Sequence, residues 1–252
     1  MNDNENRSRN YVVLGASGGI GSCVVSRLRQ QGCGVFVASR ESDHLRQMSA
    51  DFGFPTMMID ATKFDEVDGC FKAACEIFGK IDGAVNCVGS LLLKPAHLTG
   101  EKEWQETIAK NLTSSFATVR SAAKVMRRDG GSVILLSSAA ARIGLSNHEA
   151  IAAAKAGVLG LAQSAAASYA AKNIRFNVVA PGLVKTKLTQ RIWENDRNAQ
   201  TSESMHALGR LGEPDEVASL ITWLLAPENS WVTGEVFSID GGLSNVKTNV
   251  RG

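Results

Sequence analysis

Two stretches of this sequence hold residue types that do chemistry, at spacings that suggest which chemistry. The first is Gly15-Ala16-Ser17-Gly18-Gly19-Ile20-Gly21, set between an apolar run and an amphipathic one. Glycines at 15, 19 and 21 let a chain turn sharply after a strand and bring its backbone against a pyrophosphate. The free N–H groups and the dipole of the following helix favour that negative charge. A second apolar run at the expected distance, residues 34–39, lifts the string above a bland turn. That run ends in Ser39-Arg40, with Glu41 one position too far along to serve as a strand-tip acid. A carboxylate there would suit free ribose hydroxyls and repel a 2′-phosphate, whereas an arginine can clamp the phosphate bidentately. The expected cofactor is therefore NADP(H) in preference to NAD(H). Asp60, closing the third apolar run, either accepts from an adenine amino group or caps the next turn.

The second stretch is residues 135–160, LLSSAAARIGLSNHEAIAAAKAGVLG. It reads as a buried strand ending in Ser137-Ser138, a short loop and an Ala-rich helix. A lysine on an apolar helix face is costly unless paired, so Lys155 points to a ligand or relay role. His148 and Ile151 precede Lys155 by seven and four positions, so all three share one helical stripe. Ser146-x-x-Glu149 reads as a capping box, which puts His148 in the first turn and gives Glu149 a structural task. A helix N-terminus favours a neutral imidazole. Such a ring still donates one hydrogen bond and passes a proton through water. His148 is either a catalytic or substrate contact or a packing residue at the cleft mouth.

These residues need elements to position them. Apolar runs at 11–15, 34–39, 56–60, 81–86, 132–138, 175–180 and 235–239 read as strands covered on both faces. Amphipathic segments at 20–31, 42–52, 64–79, 103–128, 148–171 and 214–225 read as helices. The alternation predicts an α/β fold: a single-domain, Rossmann-like, doubly wound parallel sheet of about seven strands flanked by helices. Residues 1–10 read as a disordered polar tail and 11–252 as one NAD(P)-binding domain.

Composition removes other classes. A chain of 252 residues, 44% hydrophobic, can bury a large core. A net charge of +2 is too near balance for nucleic acid or an anionic membrane surface to be the main partner. No signal-like apolar run opens the chain, and no segment reads as an apolar run of the ~20 residues a membrane span needs. Five scattered cysteines with no C-x-x-C pair read as reduced thiols of a cytoplasmic protein without a metal site. Cys87 reads as core packing rather than as a reactive thiol.

Gly15-x-x-x-Gly19-x-Gly21, then Asn86-Cys87-Val88-Gly89, Asn111, Ser138, Lys155 and Pro181-Gly182 together resemble the short-chain dehydrogenase/reductase family, nearest its 3-oxoacyl-carrier-protein reductase-like branch. The resemblance covers nearly the whole chain. It implies that Ser17, Gly18, Ile20, Ser39, Ala61 and Val184 follow the cofactor with the glycines. Asn86 and Gly89 would brace the central strand, and Pro181-Gly182 would shape the nicotinamide pocket. Thr186 would contact the carboxamide or pyrophosphate. Asn111 would bend its helix and hold a relay water. Ser138 would bond the substrate carbonyl, and Lys155 the nicotinamide ribose. Asp240-Gly241-Gly242 resembles a structural C-terminal turn.

Four residues before Lys155 the family places a tyrosine that exchanges the proton. Ile151 stands there and has none to exchange. Tyr11 begins the first strand, and Tyr169 lies about four turns beyond Lys155 on the same helix, so neither can substitute. His148 or water must then serve. The expected function is NADP(H)-dependent hydride transfer on a small carbonyl or alcohol. The alternatives are a cofactor-binding pseudoenzyme, sensor or partner subunit, and a lyase or isomerase. The resemblance also implies a homotetramer or dimer through helices 103–128 and 148–171, with Ala152, Ala153, Ala156, Gly157 and Gly160 allowing close approach there or against the sheet. Residues 187–205 would form a variable lid, with Trp193, Met205 and His206 either substrate contacts or buried with a mobile loop against a neighbouring subunit. Leu91, Leu92 and Leu93 would line or underlie a pocket. Trp231 and Val232 suit packing or a subunit contact.

Overall fold

The computed structural model describes residues 8–40 and 42–247. Most of the expected N-terminal tail, and Glu41, lie outside the described residues. Seven parallel strands form one sheet in the order β3-β2-β1-β4-β5-β6-β7. They are β1 (Asn10–Leu14), β2 (Gly34–Ser39), β3 (Thr56–Met58), β4 (Gly83–Asn86), β5 (Gly131–Leu136), β6 (Ile174–Pro181) and β7 (Val236–Ile239). Order reverses between β1 and β4, and in open α/β sheets the crevice at that switch point is where ligands bind. Around the sheet lie α1 (Gly19–Gln30), α2 (Ser42–Phe52), α3 (Phe64–Phe78), α4 (Glu101–Ile108), α5 (Ser114–Met126), α6 (Glu149–Tyr169), α7 (Gln190–Trp193), α8 (Asp196–Met205) and α9 (Pro214–Leu225).

Strand periodicity builds two cores. Val12, Leu14, Phe71, Val133, Leu135 and Phe176 are buried on one face; Val13, Val35, Val85, Ile134, Ile221 and Leu224 are buried on the other. Continuous apolar strands are what a sheet covered on both sides requires.

Four boundaries differ from expectation. Asn10 is not tail: it is buried, pairs with Gly34, and donates its amide to Asp82 Oδ2 at 2.9 Å. Strand β5 stops at Leu136, although the Ser137 amide still reaches the Val179 carbonyl at 2.8 Å. The expected helix 103–128 is interrupted by a π-turn at Ala109–Thr113. Helix α6 starts at Glu149, with His148 as its N-cap, so the Ser146–Glu149 capping box does not form. That helix also corrects the reading that no segment is long enough for a bilayer. Glu149–Lys172 passes on length and composition. Here it is a core helix, packed into the core on that side of the sheet through Val158, Ala162, Ala165 and Ala166.

Candidate active site

The C-terminal edge of the sheet opens into a cavity of about 630 Å³. Ile20, Gly89, Asn111, Ser138, His148, Ile151, Lys155, Pro181, Gly182, Val184 and Thr186 all line it, so residues far apart in sequence meet at one place. The remaining expected cofactor residues, Gly15, Ser17, Gly18, Gly19, Gly21, Ser39, Arg40, Asp60, Ala61 and Asn86, are not among its walls. They lie along the tips of β1 to β4 and the start of α1.

The glycine loop is tied to the second strand by the Gly15 amide, which donates to Ala38 O at 2.8 Å. The N-cap of α1 is Gly18, which has no side chain to occupy the first helical amides, so they remain available to an anion. Thr186 closes over this loop; its Cγ2 lies 2.9 Å from where a Cβ on Gly19 would be. At the tip of β2 the Ser17 and Ser39 hydroxyls bond each other, and Arg40 is exposed. The Asp60 carboxylate accepts from the Thr62 amide at 3.0 Å and hydroxyl at 2.8 Å. Oδ1 thus caps the turn that follows β3. Partial burial pushes this carboxyl up, but the two Thr62 bonds and the Arg40 charge outweigh it and hold it below the ordinary value.

Asn86 fastens the tip of β4. Its amide donates to Ser114 and Ser115 Oγ at 3.3 and 3.4 Å, and its oxygen accepts from the Val88 amide at 2.9 Å. Asn111 is fully buried inside the π-turn. Its Nδ2 donates to Thr107 O at 2.9 Å and Ser90 Oγ at 3.0 Å, and its Oδ1 accepts from the Ser90 amide at 3.1 Å. The π-turn is how Asn111 bends its helix. Ser90 went unnoticed in sequence; standing directly after Gly89, it was the available signal.

Ser137 and Ser138 divide their tasks. Ser137 Oγ donates to Lys155 O at 2.9 Å and pins α6 to the end of β5. Ser138 Oγ accepts the Ala140 amide at 3.2 Å, which leaves its own O–H as a donor on the cavity wall. Lys155 is only 7% exposed, and its ammonium donates to Leu136 O at 2.9 Å. Burial pushes it down from 10.5 to about 8, with the nearby Cys87 opposing weakly. Burial pushes the Cys87 thiol up to about 12, which fits an inert wall residue.

Ile151 is 3% exposed, and no tyrosine is among the described cavity residues. Tyr11 is buried in the sheet, where burial pushes its hydroxyl up to about 12, and Tyr169 packs its ring 5.8 Å from Phe176. The His148 Nδ1 bonds Ser146 O at 2.7 Å. A carbonyl can only accept, so Nδ1 carries a hydrogen.

His206 was expected as a substrate contact, and it lines the cavity as a buried brace. Its Nδ1 donates to Ser202 O at 2.6 Å, and its Nε2 accepts the Leu183 amide at 3.1 Å. A Cβ on Gly182 would lie 2.6 Å from that Nε2. Met205, Leu91 and Leu93 line the cavity too, while Leu92, Trp193, Trp231 and Val232 do not. The Trp193 indole instead donates to Thr186 O at 3.0 Å. Gly157 is spent inside the chain: a Cβ there would meet the Leu112 side chain at 2.8 Å.

Known proteins share this fold. A family profile described as enoyl-(acyl carrier protein) reductase matches residues 15–244. A tropinone reductase homolog of Arabidopsis thaliana is 32% identical over 240 residues, 92% of this chain and 91% of the relative. The 3-oxoacyl-[acyl-carrier-protein] reductase FabG of Vibrio cholerae is 31% identical over 240 residues, 92% and 96% of the two chains. A solved variant of the actinorhodin polyketide ketoreductase with NADPH superposes with a TM-score of 0.90 at 25% identity, covering 95% of this chain and 98% of that one. On the profile, the curated relatives and the sheet together, the chain belongs to the short-chain dehydrogenase/reductase family of oxidoreductases.

Proposed function

We propose that the protein is an NADP(H)-dependent oxidoreductase that interconverts a small carbonyl and its alcohol without an active-site tyrosine. The observation that carries this reading is the convergence of Ser138, Lys155 and the loop after β6 on one cavity beside the α1 glycine loop. The residues fit a dinucleotide. Free amides at the start of α1 suit the pyrophosphate, and Lys155 suits the ribose hydroxyls. Pro181, Gly182, Val184 and Thr186 flank the nicotinamide end. When bound, the nicotinamide supplies or takes the hydride. Ser138 donates its O–H to the substrate oxygen and orients it. His148, through Nε2 or an ordered water, exchanges the proton in the place of the tyrosine.

Preference for NADP(H) rests on Arg40 and the absence of a carboxylate at the tip of β2. A ketoreductase relative bound to NADPH supports it. Fluorescence titration is expected to show NADPH binding about tenfold or more tighter than NADH, and Arg40→Glu is expected to abolish that preference. Equal affinities in the native protein would remove the assignment.

A screen of carbonyl substrates for NADPH oxidation tests turnover. His148→Ala is expected to lower kcat about a hundredfold, the usual worth of a general acid or base. Unimpaired turnover in His148→Ala would leave water as the proton source. The buried Ile151 supports a second reading, a pseudoenzyme that binds the cofactor without turnover. Activity confined to Ile151→Tyr would establish that reading.

A homodimer or tetramer belongs to the same proposal. Ala153, Ala156 and Gly160 are exposed on α6, and Trp104, Phe116 and Trp231 are exposed apolar residues a subunit contact would cover. Light scattering is expected to give a multiple of 26.8 kDa. A cytosolic setting is also part of it, given five free cysteines.

A further inference from the structure

The outer part of the cavity is built differently from its floor. Leu91 and Leu93 follow β4, Leu145 comes from the loop before α6, Leu188 and Met205 come from the segment after β6, and Leu243 from the turn after β7. Four separate loops therefore each present aliphatic side chains to one mouth. Leu93, Leu188 and Met205 remain 43%, 56% and 44% exposed. Large apolar groups gathered in water around one opening gain free energy when an apolar body covers them.

Charge is lacking. Among the described residues lining the cavity, Lys155 is the only one carrying Asp, Glu, Lys or Arg chemistry, and its ammonium is bound to Leu136 O. Two of the hydroxyls present are already engaged. Ser137 Oγ donates to Lys155 O at 2.9 Å, and Thr189 Oγ1 donates to Val184 O at 2.5 Å. An anionic ligand would leave water and find no cation but Lys155, and a polyhydroxylated one would lay hydroxyls against the aliphatic rim, where an unpaired polar group is penalised.

Resting on the oxidoreductase reading above, we infer that the substrate is an uncharged ketone or secondary alcohol carried on a bulky aliphatic body. Its one polar atom meets Ser138, and its hydrocarbon body covers the rim of Leu93, Leu188 and Met205. Keto acids and sugars fit this rim poorly, because their charge or hydroxyls would face aliphatic side chains.

The test uses full-length protein saturated with NADP⁺, so that a ketone can bind without being reduced, and calorimetry reads affinity. The probes are 4-tert-butylcyclohexanone, 4-oxocyclohexanecarboxylate, which matches it in ring size, and glucose. The neutral ketone is expected to bind about tenfold or more tighter than either other probe. Leu188→Asp and Met205→Ser, at exposed positions that the fold does not need, are expected to weaken the neutral ketone severalfold. Equal or tighter binding of the carboxylate or glucose overturns the inference. So does undiminished binding in both variants, or binding of none of the three. Turnover separates the two levels. Selective binding without NADPH-dependent reduction keeps the substrate class and sinks the oxidoreductase reading. Reduction of all three probes at similar efficiency does the reverse.

Discussion

Replacing Lys155 by methionine is expected to make the folded chain more stable and the site inactive. The ammonium is buried with a backbone carbonyl as its hydrogen-bond acceptor, and burial holds it at about 8 instead of 10.5. A lysine depressed in the fold binds fewer protons there than in the unfolded chain between those two values, so stability rises with pH across that window. Below pH 8 the full penalty applies; above about 10.5 it is gone. The difference is worth roughly 3 kcal/mol. Methionine removes the charge and leaves the Leu136 carbonyl without this donor, which costs about 1 kcal/mol. Urea unfolding at pH 7 should therefore show a gain of about 2 kcal/mol for Lys155→Met. Repeated at pH 9.5, the gap should narrow. A variant less stable than the native protein at pH 7, or a gap that widens with pH, would contradict this account. As the proposed ligand of the ribose hydroxyls, Lys155 is also expected to matter for function: NADPH affinity and turnover should fall together in the same variant.

Gly21→Ala is expected to be the most damaging single-methyl change in the cofactor loop. An ideal Cβ at position 21 would lie 2.4 Å from the Gly15 carbonyl oxygen and 2.8 Å from the Ala16 Cα. Both are backbone atoms of the loop itself, so no side chain can swing away. Either α1 lifts off β1 or the loop opens, and both move the helix-end amides that would hold a phosphate. A loss of about 3 kcal/mol in stability, as for other overpacked sites, or a hundredfold or greater loss of NADPH affinity is expected. Gly69→Ala in α3 is the control. The nearest atom there is the Met57 methyl at 4.0 Å, and alanine should stabilise the helix by about 0.5–1 kcal/mol. If the two variants behave alike in thermal melts and NADPH titration, the steric explanation fails.

Much of this molecule could be read from sequence because its strongest signals are local. Continuous apolar strands, glycines between a strand and a helix, and a lysine on an alanine-rich face each report their environment without a partner. What stayed hidden depends on partners far away in the chain. The π-turn around Asn111 is stabilised by Ser90, which belongs to another loop. The start of α6 was misplaced because Asn147 adopts a left-handed backbone, φ 64°. The Ser146 carbonyl meets the His148 ring there, and no Ser146–Glu149 box forms. Trp193 looked like a substrate contact by its size and its polar surroundings, but its N–H found a carbonyl behind the cavity wall. Asn10 was assigned to the tail by composition, whereas its pairing with Gly34 and Asp82 decides its place.

The His206 ring has a further consequence. It ties the end of α8 to the loop that follows β6, with one nitrogen on each. Withdrawing α8 alone would break a hydrogen bond worth about 1 kcal/mol. The end of α8 and the loop after β6 are thus coupled through this one ring. If substrate meets α8 and cofactor meets the loop after β6, as proposed above, linkage requires the coupling to be equal in both directions: a substrate that settles α8 would tighten the grip on the cofactor by the factor with which the cofactor tightens the grip on the substrate.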